Sequence, residues 1–463
     1  MNTVKEARTG IFGWIDRRYG IAPLVEYMRH KEVPVGAHSM VWYYLGGITL
    51  FFFSVQVVTG TLLLAYYEAG ENTSYESIRF ITTKVPFGWL VRSMHCWSAH
   101  LMIISLVIHM FSTMMLKAYR PPRELTWLSG FVLLSMALGF GFSGYLLPWN
   151  ELSFFATVVG TDSMKAVPVV GGWLLQVLRG GGDVTIHTLY RFFALHVVVL
   201  PLLIVGIVSF HLVLIQRQGM AKPVAHEPTR RGLRFFPDFM LRDVLLWLVC
   251  LIVLASLAVF VPYGLGIPGF EWELGKKANA LAPAYPGIKP EWYFLWIYQL
   301  LKEFPAHLFG LEGPEAAVGL VSVLMGLWAA MPWLDRKAQR EERSPAFTDI
   351  GCAALLFLGD LTLKAWDIGG GGVHGAHVDA VASARMTAYW SLGLCFVSLL
   401  FRGFVLRQRF FVFTFCTALQ IALHGLLGLH YLVAAAIALA VLPIAWYLDA
   451  RRTPVAPAGE GHA

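Results

Sequence analysis

Apolar residues along this chain fall in long unbroken blocks, not in the short periodic stripes of a soluble helix or strand. Val41–Tyr67, Met94–Leu116, Leu125–Asn150, Phe192–Gln216 and Val244–Phe270 hold no Asp, Glu, Lys or Arg. Each is long enough to cross about 30 Å of hydrocarbon, which takes roughly 20 helical residues. Ala316–Leu334 and Met386–Phe401 are shorter candidates, and Ile350–Trp366 is weaker because Asp360 and Lys364 interrupt it. Phe410–Leu448 is too long for one pass and is read as two spans that break near "HGLLGLH". The pattern predicts an all-α polytopic membrane protein. A four-helix N-terminal bundle is followed by about six further transmembrane helices. The expected divisions are 1–222, 223–384 and an additional membrane extension, 385–463.

Composition agrees. Charged residues make up 14% of the 463, against about a quarter in soluble domains, and mean hydropathy is +0.60. The net charge of +7 does not imply nucleic acid, because the basic residues cluster in alternate connections such as "KAYRPPR", "DRKAQREER" and "RGFVLRQR". Positive connections stay cytoplasmic, so both termini are expected inside a bacterial-type cytoplasmic membrane, with lipid as the surrounding partner. "MNTVKEARTGIFGWIDRR" lacks the apolar core of a cleavable leader. The five cysteines form no C-x-x-C or C-x-x-C-H, which argues against a zinc site or covalent haem attachment.

Histidines inside such blocks need a reason, since ionisable groups in hydrocarbon are costly. His95 and His109 are fourteen residues apart in one block, about 21 Å along a helix and about 40° from a shared meridian. His196 and His211 repeat the pattern in the fourth block with fifteen residues between them, and Pro201 offers a kink to absorb the difference. Two matched pairs suggest two stacked bis-histidine sites, because neutral imidazole is an axial ligand for haem iron and bundles build such sites from facing helices. Gly46 and Gly60, and Gly130 and Gly144, share the fourteen-residue spacing, and glycine gives a flat macrocycle room beside a helix. His100 has no such counterpart and is read as a histidine that merely bonds to a neighbouring helix.

These residues resemble cytochrome b, the quinol-oxidising core of cytochrome bc-type complexes. The resemblance runs from about Val33 to Trp333 and rests on "LGGITL", "GWLVRSMHCWSAH", "RPPRELTWLSG", "GYLLPWNELSF", "TLYRFFALH" and "KPEWYF". Several are similar to the branch that occurs as two separate subunits in oxygenic photosynthesis, and the chain looks like those two parts joined. The resemblance implies two non-covalent haems b. His95 and His196 would ligate the outer, low-potential one, and His109 and His211 the inner, high-potential one. Arg92 and Arg191 match arginines beside haem propionates. Pro290, Glu291, Trp292 and Tyr293 match the outer quinol-site motif, with Glu291 as proton acceptor, and Tyr145, Pro148 and Trp149 match the pocket's other wall. Gln216, Arg242 and Asp243 fall where the family places its inner quinone site. The implied partners are a Rieske-type iron–sulfur protein, a c-type cytochrome and a second copy of the chain within a multi-subunit complex.

Several positions depart from the family. Tyr44 replaces the cysteine that tethers an extra c-type haem in the split branch, so a covalent third haem is not expected, and an untethered one stays open. Ser112 stands where many relatives carry arginine, Gln216 where they carry histidine or arginine, and Asn150 and Glu151 differ from the usual residues after the proline–tryptophan pair. The expected function is quinol oxidation with electron bifurcation: one electron to the iron–sulfur partner, the other across the haems to an inner quinone, with proton translocation. The competing readings are a non-bifurcating di-haem membrane anchor, which leaves "PEWY" unexplained, and a transporter with histidine proton relays, which predicts no haem. In the tail, "DIGGGGVHGAHVDA" reads as a flexible linker, with metal binding by His374 and His377 as the alternative. The last spans, with His424 and His430, read as structural packing, with partner docking or another cofactor as the alternative.

Overall fold

The structure is a computed structural model that describes residues 10–33, 40–167, 169–221, 233–262, 274–281, 288–308, 310–340 and 345–365. The expected spans after residue 385, with His374, His377, His424 and His430, lie outside the described residues. Two short helices, α1 (Ile11–Tyr19) and α2 (Ala22–His30), precede the first long helix, α3 (Leu45–Leu64). Then come α4 (Ser74–Thr83), α5 (Gly88–Met115), α6 (Glu124–Leu146), α7 (Glu151–Met164) and α8 (Gly171–Arg179). The fourth long helix is α9 (Ile186–Ala194) continued by α10 (Leu200–Gln218), and α11 (Met240–Phe260) follows. The remainder is α12 (Leu295–Glu303), α13 (Gly313–Ala329), α14 (Met331–Leu334), α15 (Arg336–Gln339) and α16 (Pro345–Ala365).

Among the described residues, five helices are long and apolar enough to cross a membrane: Trp42–Leu64, Gly88–Met115, Glu124–Leu146, Ile186–Gln218 and Phe235–Phe260. They match the five long apolar blocks, with ends moved by local chemistry. α6 stops at Leu146 and not Asn150, and α11 at Phe260 and not Phe270. At α11 the cause is Pro262, because the residue before a proline is driven out of the α region and Val261 has φ −131°. At α6, Leu147 keeps α-region angles (φ −59°, ψ −33°) and the helix ends just ahead of Pro148.

α3 packs along α5, α6 against α10, and α11 against both α5 and α3. Apolar side chains of α3, α5, α6 and α11 close the main core, with Phe52, Met102, Leu106, Met110, Leu134 and Leu254 almost fully buried. A two-residue strand, β1 (Glu32–Val33), pairs antiparallel with β2 (Leu233–Arg234) and clips the N-terminal segment to the approach to α11. A second small pair, β3 (His307–Leu308) with β4 (Leu311–Glu312), leads into α13.

At one position the structure revises the sequence argument. Residues Leu195–Val199 form a π-helical turn, in which the Leu200 amide donates to the Leu195 carbonyl. Pro201 has no amide hydrogen to donate four residues back, and the wider turn takes up one extra residue. The fifteen residues between His196 and His211 therefore span about what fourteen do on α5. The widened turn lies just before Pro201 and takes up the extra residue.

Candidate functional site

His95 and His109 project from α5, and His196 and His211 from the fourth helix. His95 lies close enough to His196, and His109 to His211, for their charges to interact. The four thus form two tiers of facing rings. In three of them the inner ring nitrogen is held by a hydroxyl on the adjacent helix. Thr59 Oγ1 lies 2.9 Å from His95 Nδ1, Ser129 Oγ 2.7 Å from His211 Nδ1, and Ser143 Oγ 3.2 Å from His196 Nδ1. An orienting bond at Nδ1 leaves Nε2 facing the gap, the arrangement of histidines that ligate metals. His109 Nδ1 is buried without a hydrogen-bond partner.

The four spaced glycines stand behind these rings. A Cβ at Gly46 would meet His109 Cε1 at 3.4 Å, at Gly60 His95 Cε1 at 3.2 Å, at Gly130 His211 Cε1 at 3.4 Å, and at Gly144 His196 Cε1 at 2.6 Å. The room these residues leave goes first to the imidazoles. No group of three or more His, Cys, Asp or Glu that could hold a metal ion exists among the described residues. Pairs of opposed rings instead fit a flat macrocycle ligated from both sides, so the residues present suit haem.

Beside the tier of His95 and His196 lies a cavity of about 370 Å³. Phe140 and Gly144 of α6 touch His196, while Gly141, Phe142 and Tyr145 of the same turns line the cavity. Pro290, Glu291 and Tyr293 complete that wall, and α7, α12 and α13 the rest. Glu291 is half-buried and also lies near enough to Cys96, the neighbour of His95, to interact with it electrostatically. Burial pushes its carboxyl up to about 7, against a backbone hydrogen bond from Trp292. Of the residues expected here, Tyr145, Pro290, Glu291 and Tyr293 line the cavity. Trp149 turns away in a left-handed conformation (φ 51°) and packs edge-on against Phe154, next to Pro148. Trp292 points to α5, where its indole nitrogen donates to His100 Nδ1 at 3.0 Å.

Asn150 and Glu151, the unusual pair, have structural work. The Asn150 side chain caps α7 by accepting from the Ser153 amide at 2.8 Å and donates to the Leu274 carbonyl at 2.8 Å. The Glu151 amide donates to the Lys276 carbonyl at 2.8 Å, strapping residues 274–278 to the start of α7. Buried Arg179, which sequence reasoning missed, ties α8 to Thr161, Val158 and Gly182 at 2.7–2.8 Å. Arg92 is buried on α5, whereas Arg191 is exposed and lies against Gly180.

At the opposite end of the bundle, Tyr44 stacks on Phe239 with centroids 4.4 Å apart. Arg242 and Asp243 flank this tyrosine, and Asp243 packs where Gly47 lacks a side chain. Gln216 sits with Lys31, whose ammonium donates to its carbonyl at 2.8 Å and to its Oε1 at 2.7 Å. Lys31 lies 5.8 Å from the Phe235 ring centroid, and Phe235 stacks on Phe239. This contact brings Gln216 into the neighbourhood of Tyr44. Burial lowers the pKa of Lys31.

A membrane helix bundle with two tiers of opposed histidines is the class that this fold and site define. Comparison with known proteins gives the family. The model "Cytochrome b/b6/petB" matches residues 30–219, and "Cytochrome b(C-terminal)/b6/petD" matches residues 277–375. The cytochrome bc complex cytochrome b subunit of Chlorobaculum thiosulfatiphilum is 48% identical over 358 residues, 76% of this chain and 79% of that protein. Cytochrome b6 of Synechococcus sp. (strain JA-3-3Ab) is 39% identical over 214 residues, 46% of this chain and 99% of that protein. A solved structure described as hyperthermophilic respiratory Complex III shares the fold, with TM-score 0.66 and 23% identity over 95% of this chain and 99% of that one. The chain belongs to the cytochrome b/b6 family. It carries in one polypeptide both regions that those two models describe.

Proposed function

We propose that this chain is the di-haem cytochrome b subunit of a bc-type complex that oxidises quinol and bifurcates its electrons. The observation that carries the reading is the apolar cavity that Glu291 lines, separated from the tier of His95 and His196 only by the turns of α6 that touch His196. A di-haem anchor without quinol oxidation has no use for such a carboxyl there. His95 with His196, and His109 with His211, would each hold a b-type haem, which would supply reversible one-electron chemistry. Thr59, Ser143 and Ser129 hold three of the imidazoles at Nδ1, which leaves Nε2 as the nitrogen for a ligated iron. Quinol enters the cavity, Tyr145 and Tyr293 bound its ring, and Glu291 accepts a proton. A carboxyl with pKa near 7 both takes and releases that proton at neutral pH. One electron leaves to a Rieske-type iron–sulfur partner and onward to a c-type cytochrome, and the other crosses to a quinone beside Arg242, Asp243 and Gln216. The basic connections support a cytoplasmic position for that second site and for both termini. Assembly as a homodimer within a multi-subunit complex belongs to the same reading.

The test is haem content per chain by alkaline pyridine spectrum with a redox titration, followed by quinol oxidation in Glu291→Gln. Two b-type haems at separated potentials, and a turnover reduced roughly a hundredfold in the variant, are expected. A chain that binds no haem, or a variant with full turnover, overturns the proposal.

A further inference from the structure

His100 has no place in the two tiers. On α5 it lies about 140° around the axis from His95, so it faces away from His196 and His211 of the fourth long helix. That face of α5 meets the end of α11 and the segment that carries Glu291. Ser93 Oγ donates to the Ala258 carbonyl at 3.1 Å, and Trp97 Nε1 to the Val261 carbonyl at 2.8 Å, which fixes the end of α11. One turn beyond, His100 Nδ1 accepts the indole hydrogen of Trp292 at 3.0 Å, joining residues 192 apart in sequence. Trp292 opens the short helical turn Trp292–Phe294, for which Glu291 is the cap.

The same turn is held from the other side by α6. The Tyr293 ring lies where a Cβ on Gly141 would come within 2.7 Å of its hydroxyl oxygen. Tyr293 also meets Trp292 edge-on, with centroids 5.4 Å apart. Glu291 is thus the residue next to a turn clamped between His100 on α5 and Gly141 on α6. Its carboxyl direction is set by that clamp, since an indole hydrogen withdrawn from water needs an acceptor and the accepting nitrogen is fixed on a long helix. Accepting at Nδ1 also sets the imidazole tautomer, with the hydrogen on Nε2.

We propose that His100 is a positioning residue for quinol oxidation: by accepting the Trp292 indole hydrogen it fixes the 291–293 turn and aims Glu291 into the cavity. This rests on the proposed function above. The experiment uses the purified membrane complex, with decylubiquinol and menadiol as probes. His100→Leu removes the acceptor, Trp292→Phe removes the donor, and His100→Asn restores an acceptor close to where Nδ1 stands. Loss of aim lowers kcat by roughly ten- to a hundredfold with KM little changed. His100→Asn recovers most of that loss. The double variant His100→Leu/Trp292→Phe is no slower than the slower single one, because both act through one bond. Haem content serves as the folding control; should His100→Leu lose haem, Trp292→Phe and His100→Asn carry the comparison.

Multiplicative losses in the double variant, or equal loss in His100→Asn and His100→Leu, overturn the proposal. So does wild-type kcat in Trp292→Phe. If these variants are silent while Glu291→Gln is slow, the positioning role alone fails. If Glu291→Gln is also silent, the quinol-site reading fails with it.

Discussion

The glycines behind the four histidines make a graded prediction. Alanine at Gly144 would place its Cβ 2.6 Å from Cε1 of His196, with Nδ1 at 3.1 Å and Nε2 at 3.2 Å. The ring cannot retreat freely, because Phe140 packs against it at 5.4 Å and Ser143 holds Nδ1. At Gly60 the nearest ring atom is 3.2 Å away, and at Gly46 and Gly130 it is 3.4 Å away, the edge of ordinary contact. Overpacking of the first kind costs about 1–3 kcal/mol, or roughly five- to 150-fold in the affinity for whatever the ring binds. Gly144→Ala is therefore expected to lose the haem of the His95–His196 tier while the other tier stays loaded. Gly60→Ala is intermediate, and Gly46→Ala and Gly130→Ala are nearly silent. Pyridine spectra give the haem count and redox titration shows which component has gone. Full haem content with unchanged potentials in Gly144→Ala refutes the reasoning, as does a greater loss in Gly130→Ala.

Three further outcomes follow from the same geometry. With the Glu291 carboxyl pushed up to about 7, the proton-accepting carboxylate is roughly a tenth of the population at pH 6 and about nine-tenths at pH 8. Quinol oxidation should therefore rise across that window and Glu291→Gln should lose this limb; an identical pH profile in the variant sinks the assignment. Thr59→Val removes the bond that orients His95 and should loosen haem in that tier by roughly ten- to a hundredfold, measured as dissociation to an apo-haem acceptor, while Thr61→Val on the exposed face of α3 should not. Asp335 is fully buried, 3.5 Å from Lys117 Nζ, accepts from the Tyr119 hydroxyl at 2.7 Å and caps α15. Asp335→Ala should cost about 3 kcal/mol or more, read as a fall in the thermal midpoint in detergent; an unchanged midpoint would show that this cluster contributes nothing to stability.

Much of the site was legible from spacing. The histidines announce themselves because an imidazole in a charge-free block is rare, and their interval converts directly to depth on a helix. The Glu291 motif was legible only by resemblance, since a carboxyl before an apolar run is otherwise a common helix start. Three things stayed hidden. The π turn at Leu195–Val199 changes residues per turn, which a count of fifteen cannot reveal. Lys31 enters the neighbourhood of Gln216 from 185 residues away. His100 was legible as a histidine bonded to a neighbouring segment, but its partner, Trp292, 192 residues away, was not.

The sequence by itself determined the membrane class, the five long spans and the depths of the four histidines. Hydrocarbon forces every backbone polar group into a helix and tolerates few ionisable side chains, so both leave a linear signature. Tertiary structure alone decided which hydroxyl holds each imidazole, which glycine yields to which ring, and how α5 and α6 grip the turn beside Glu291. Those contacts join residues 35 to 192 apart. They depend on how helices rotate and pack against one another, and packing between distant segments imposes no period on the chain.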